Sequence, residues 1–321
     1  MKREIALGVL VVGGAVMMAC AGAGDSEPMA EPAESQAAPP AEAPPENVVE
    51  VERLEDNLFV FRGGGGNSAA FITDNGVVLV DTKLAGWGQP LIDAIGELTP
   101  KPITTIINTH AHFDHVDGNV EFPATVEFVA HENTQRLMRE NNPVRGLATE
   151  PRPSPFDGPD ANGIPERTFT DTLTLGSDAD RVELHYFGRS HTGGDAWVLF
   201  PALRVVHAGD AFPNKMVPII DSNNGGSGVD YPQTLKKASD TITEVDRVIT
   251  GHGPVMTRQD LSDYAAFVAG FVSDAQAAKA AGTSAADFIA GWEPSGPYAE
   301  YTKGPAERLA VYAQDIYDAT P

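Results

Sequence analysis

The sequence predicts an α/β fold in which two similar halves pack sheet against sheet, with helices outside. Two observations carry this. Strand-like and helix-like runs alternate along the chain, and the series then repeats. Each cluster of histidine or aspartate also sits directly after a β-run, where layered α/β folds gather their sites. At 321 residues the chain can bury a sizeable core, and one large domain is expected.

The first segment is set aside from the fold. Lys2 and Arg3 precede an apolar run from Ile5 to Met18, and Met18-Ala19-Cys20 follows. That run is too short to span a bilayer comfortably and fits a secretory signal, residues 1–19. A small residue directly before the only cysteine resembles a bacterial lipoprotein processing site. Cys20 would then carry the lipid that holds the mature protein on the membrane, in the periplasm. Residues 20–47 are rich in Ala, Pro and Glu, lack Lys and Arg, and read as an extended tether. Residues 48–321 form the domain. With no cysteine beyond Cys20, disulfides play no part in its folding.

Net charge is −23, of which residues 1–20 contribute +1 and residues 21–50 contribute −7, leaving −17 for the rest. So acidic a surface repels phosphate backbones, and nucleic acid is excluded as a substrate.

Within the domain, Asn57–Arg62 is a predicted strand, and Gly63-Gly64-Gly65-Gly66-Asn67 a flexible turn able to flap over a site. Ser68–Thr73 and Val77–Asp81 are strands joined at Asp74-Asn75-Gly76, a hairpin signal. Gln89–Leu98 is helical and stops near Pro100. Ile103–Asn108 is β-branched and apolar, a buried strand. Thr125–Ala130 is a strand and Glu132–Glu140 a helix. Residues 141–168 hold six prolines and read as a lid, a binding loop or a surface insertion. Strands return at Arg181–Phe187, Ala196–Phe200 and Leu203–His207. Residues 212–230 form a loop, Tyr231–Ser239 a helix and Arg247–Thr250 a short strand. The last third is helical at 258–280, 284–291 and 305–318.

The chemistry concentrates in His110-Ala111-His112-Phe113-Asp114-His115. Three of the chain's eight histidines lie there, beside a carboxylate. Imidazole is the commonest metal ligand, and carboxylate oxygen completes a zinc-type set. Three further sites follow strands, each with glycine nearby: His191 before Thr192-Gly193-Gly194-Asp195, Asp210 in His207-Ala208-Gly209-Asp210, and His252 in Gly251-His252-Gly253. Glycine lets the backbone turn sharply and approach an ion closely.

Together, H-x-H-x-D-H, a later His, an Asp in a Gly-Asp step and a final Gly-His-Gly resemble the metallo-β-lactamase-fold hydrolase superfamily. The resemblance runs from about residue 48 to 258 and less specifically through the C-terminal helices. It implies an αββα sandwich with a two-metal site at one edge of the sheets. His110, His112 and His191 would hold one metal; Asp114, His115 and His252 would hold the other, with Asp210 bridging. Asp81, closing an early strand, would hold the ligand loop in place. The cofactors implied are two zinc ions, with iron or manganese as alternatives. The activity implied is attack by a metal-bridging hydroxide, oriented by Asp114, on the carbonyl of a small ester, lactone or β-lactam.

Asp210 stands where one β-lactamase subclass has Cys, and another subclass has the His-rich run without a bridging Asp. The combination looks more like lactonases and glyoxalase II-type thioesterases, although the thioesterase motif has a further His where this chain has Phe113. Alternative readings are a β-lactamase proper, a mononuclear iron oxidoreductase resembling persulfide dioxygenases, and a non-catalytic binding lipoprotein. Lys215, five residues beyond Asp210, is a candidate anchor for a substrate carboxylate. His131 and His185 read as structural, and His207 as packing or as support for the Asp210 loop.

Overall fold

The computed structural model describes residues 47–158 and 162–321. The expected signal, Cys20 and all of the tether except Asn47 lie outside the described residues. Among the described residues no helix is long and apolar enough to cross a membrane.

Two sheets form the centre. The first has seven strands in chain order: β1 (Glu50–Arg53), β2 (Leu58–Arg62), β3 (Ser68–Thr73), β4 (Gly76–Val80), β5 (Ile103–Asn108), β6 (Glu127–His131) and β7 (Arg167–Phe169). The hairpins make β1 to β4 antiparallel. From β4 to β7 the strands run parallel, because α1 (Gly88–Gly96), the helical segment 113–121 and α3 (Glu132–Glu140) return the chain between successive strands. The second sheet has the order β13 (Met256–Thr257), β12 (Arg247–Ile249), β11 (Val205–His207), β10 (Ala196–Phe200), β9 (Val182–Tyr186), β8 (Thr172–Leu175). Helices α4 (Tyr231–Thr241), α5 (Arg258–Ala280), α6 (Ala285–Gly291) and α7 (Ala306–Ala319) complete the C-terminal part. The result is the αββα sandwich expected.

Strand periodicity assigns each side chain to a layer. Leu58 and Val60 face the second sheet, packing with Val198, Val205 and Ile249. Their neighbours Phe59 and Phe61 face outward, onto Leu91 and Ile95 of α1. Phe71 and Phe200 join the two sheets edge-on, with ring centroids 5.2 Å apart. On the far side Trp197, Val206 and Val248 pack against Leu235, Leu261, Tyr264 and Ile316 of α4, α5 and α7. Helix α5 starts on a capping box, Thr257 and Asp260 exchanging hydrogen bonds with each other's backbone N–H.

Four strands differ from expectation: β1, β7, β8 and the two-residue β13, which is too short to show a pattern. β1 is wholly exposed, and β7 is three residues long, so neither has an apolar alternation to read. β8 does alternate, as Thr-Leu-Thr-Leu, in a stretch otherwise lacking strand signals. The 141–158 part of the proline-rich loop packs against α7: Arg145 donates to Asp315 at 2.8 and 3.1 Å.

Candidate metal centre

Strands β5, β9, β11 and β12 deliver their carboxyl ends to one edge of the sandwich. His110 follows β5. His112 takes extended backbone (φ −71°, ψ 141°) and starts α2 (Phe113–Val116), a single turn that carries Asp114 and His115. His191, Asp210 and His252 follow β9, β11 and β12. All seven meet in two groups: His110, His112, His191 and Asp210, and then Asp114, His115 and His252; within each group the ligand atoms lie within 4.8 Å of one another. Asp210 borders both. One carboxylate oxygen is 3.6 Å from His191 Nε2 and 3.3 Å from His252 Nε2, and the other is 3.3 Å from His115 Nε2.

The outward hydrogen bonds fix which ring nitrogens point inward. His115 Nδ1 donates to Asp81 Oδ2 at 2.7 Å, His112 Nε2 to Asp221 Oδ2 at 2.7 Å, and His191 Nδ1 to the Ile219 carbonyl at 3.0 Å. These partners only accept, so each ring carries its proton on the outer nitrogen. Thr109 Oγ1 donates to Asp81 and thereby accepts from His110 Nδ1 at 3.0 Å. Four imidazole lone pairs therefore converge. His191 Nε2 and His112 Nδ1 face each other at 2.8 Å. His110 Nε2 and one Asp210 oxygen are buried with no hydrogen-bond partner among the described residues. Lone pairs opposed at this distance call for a positive charge between them. The donor set of imidazole and carboxylate fits a zinc-type ion.

The electrostatics agree. Burial opposes a charge on His112, but Asp221 outweighs it and raises the imidazole's pKa. His252 is pushed up to about 10, chiefly by Asp210. Burial would lift the Asp114 carboxyl, yet His115 and His252 hold it down at about 2. Burial holds His110 well below the usual histidine range, with His115 and His112 adding to the effect. Without a metal, the cluster draws in protons to supply the cation it is built around.

Asp81 holds this edge from behind. Its backbone is left-handed (φ 57°), and its carboxylate accepts from the Thr109 backbone N–H, the Thr109 hydroxyl and His115. Asp221, in the 212–230 loop, does the same for His112 and was not among the sequence candidates. It is fully buried and also accepts from Arg145 N and Asn224 Nδ2. Its Asp-Ser-Asn-Asn setting offers a turn signal only.

The Gly63–Asn67 turn lies against the ligand loop. Gly66 N–H donates to the Asp114 carbonyl at 3.0 Å, and its carbonyl accepts from buried Lys83 Nζ at 2.9 Å. A Cβ on Gly66 would lie 2.1 Å from the His115 ring, so only glycine fits.

Lys215 requires correction as a substrate anchor. Its ammonium pairs with Asp260 at 2.6 Å, at the start of α5, and it is not among the residues lining the cavity over the ligands. The remaining histidines are accounted for. His131 caps α3, accepting from Asn133 N at 3.2 Å. His185 lies within β9 beside Glu183. His207 is buried, accepting from Gly209 N and donating to the Asn67 carbonyl, which steadies the Asp210 loop.

A two-sheet sandwich with convergent histidines and aspartates at one strand edge defines a class of metal-binding α/β proteins. Residues 62–252 match the family model of the metallo-beta-lactamase superfamily, and the chain belongs to that superfamily. It is 22% identical over 216 residues to a metallo-beta-lactamase type 2 of Bacteroides fragilis, covering 64% of this chain and 79% of that one. It is 26% identical over 163 residues to the 2,4-dinitroanisole O-demethylase subunit alpha of Nocardioides sp. (strain JS1661), covering 50% and 45%. Among solved structures, the DIM-1 metallo-beta-lactamase superposes with a TM-score of 0.56 at 17% identity, over 70% of this chain and 98% of that one. The metallo-beta-lactamase from Pontibacter korlensis gives 0.57 at 19%, over 68% and 98%.

Proposed function

We propose that the protein is a dinuclear zinc-dependent hydrolase of small carbonyl compounds: esters, lactones or β-lactams. The observation that carries the reading is the convergence of four imidazole lone pairs around Asp210, whose carboxylate borders both ligand groups. His110, His112 and His191 would hold one ion, and Asp114, His115 and His252 the other, with Asp210 between them. When bound, such a pair supplies Lewis acidity and acidifies water from a pKa of about 15.7 towards roughly 7.

The chain's own groups do the rest. Asp114 is part-exposed, lines the cavity, and has a carboxylate oxygen 3.3 Å from His252 Nε2. It accepts the proton of the attacking water and returns it to the leaving group. Asp81 and Asp221 keep the imidazoles oriented. The apolar cavity wall excludes bulk water from the reacting carbonyl.

The relatives named metallo-beta-lactamase favour β-lactam turnover as the second reading. Elemental analysis with a panel of chromogenic ester, lactone, thioester and cephalosporin substrates tests both. Two zinc ions per chain with ester or lactone turnover is the expected result. Full activity with no bound metal overturns the proposal, and a single iron per chain redirects it to the oxidoreductase reading.

We also propose that residues 1–19 are a lipoprotein signal, that Cys20 is lipidated, and that the tether to residue 47 holds the catalytic domain off the periplasmic membrane face.

A further inference from the structure

The cavity over the ligands has a second side. Its volume is about 340 Å³, at the small end for ligand pockets. Besides the ligands its lining is apolar: Phe113, Val144, Leu147, Pro213, Met216 and Ile219. The two remaining polar residues, Arg308 and Tyr312, come from α7.

Arg308 is half-buried and makes neither an ion pair nor a hydrogen bond among the described residues. Acids outnumber bases in this chain by 45 to 22, so a cation next to a cavity readily finds a partner. Arg145, in the loop packed against α7, has done so and is held by Asp315. Gly146 of the loop packs on the Arg308 stem, where a Cβ would come within 3.0 Å of Cγ. Tyr312 donates to the Arg145 carbonyl at 3.4 Å, so the loop and α7 are joined beside Arg308.

We infer that Arg308 binds an anionic group on the substrate. The substrate class is then small carboxylic acids with a hydrolysable carbonyl at the ligand side, a short apolar body, and a carboxylate at Arg308. A guanidinium fork matches a carboxylate in two parallel hydrogen bonds. Because α7 lies beyond the matched 62–252, this specificity is supplied by a part of the chain that the family match does not reach. The inference rests on the hydrolase reading, and its test separates the two.

The test compares mono-4-nitrophenyl glutarate with 4-nitrophenyl valerate, esters of similar length with and without the second charge. The wild type should prefer the glutarate ester in kcat/KM. Arg308→Met should lower that preference roughly tenfold or more, and Arg308→Lys should restore part of it. Melting temperature and bound zinc confirm that the variants are folded and loaded. Calorimetric titration of the zinc-loaded protein with glutarate and butyrate reads the same contact without turnover. Glutarate should bind roughly tenfold tighter, and Arg308→Met should erase the difference. Equal binding of the two acids by the wild type, or a preference that survives Arg308→Met, overturns the inference. Turnover of neither ester counts against the hydrolase reading, while the titration still decides Arg308.

Discussion

Asp221 and His112 are 109 residues apart in the chain and meet at 2.7 Å, carboxylate to Nε2. That bond fixes the imidazole so that its Nδ1 faces His191 and Asp210. Asp221→Asn keeps the size and the Asn224 and Arg145 neighbourhood but removes the charge. It should weaken metal binding at the His110/His112/His191 group by roughly 10- to 100-fold. Zinc competition titrations check this; unchanged affinity at both sites would show that the bond does not orient the ligand.

Gly66 provides a steric test. Gly66→Ala places a methyl 2.1 Å from the His115 ring in a turn clamped by Lys83 and Asp114. The ring has no room to retreat, since its Nδ1 is held by Asp81. Activity should fall at least roughly tenfold, the contact lying at the ligand itself. The far-ultraviolet spectrum should stay that of the folded protein.

Metal should stabilise the fold as well as enable chemistry. Ligand groups from three strand ends would share each ion, one from the first sheet and two from the second, so a chelator removes a link that spans both sheets. At free metal about 1,000-fold above Kd the linkage contributes about 4.1 kcal/mol. For a domain of this size that corresponds to a melting temperature lower by roughly 10 °C after chelation. Calorimetry before and after chelation, with re-addition of zinc, measures it; no shift on removal would rule out resident metal.

Lys83 sets a pH dependence. Burial lowers its pKa from 10.5 to about 7, against the opposing pull of Asp81. Between these values the unfolded chain binds the proton and the folded chain does not, so stability rises with pH across that window. Below about 7 both states are protonated and the cost of the buried ammonium is present in full. Metal-free wild type should therefore gain stability relative to Lys83→Met as the pH goes from 6.5 to 9. A difference that stays flat would show that the amine is not titrating there.

Lipidation has its own test. Cys20→Ser should move the protein from the membrane fraction to the soluble fraction. Retention in the membrane fraction would refute the lipid anchor.

The sequence exposed most of the frame because its strongest signals were local. β5 at 103–108, α3 at 132–140 and α5 at 258–280 lie where β-branching, capping and spacing put them. The seven candidate ligands were visible for the same reason, each being a histidine or aspartate placed just past an apolar run. What stayed hidden depended on contacts between distant segments. Asp221 sits in a Gly- and Asn-rich loop, and nothing in its vicinity points to His112. Lys215 lay at the right distance along the chain, yet Asp260 at the start of α5 claims it. Arg308 shows only as one arginine in an amphipathic helix until the fold brings it over the ligands.

Asp221 has two oxygens with different clients. One accepts from His112 and the other from the backbone N–H of Arg145, in the loop that walls the cavity. Reshaping that loop to admit a different substrate pulls on the group that steadies a ligand. In the descent of such proteins, substrate breadth and hold on metal are therefore not free to drift apart. A lineage that widens this cavity must re-anchor His112 by other means or accept a looser grip on its ion.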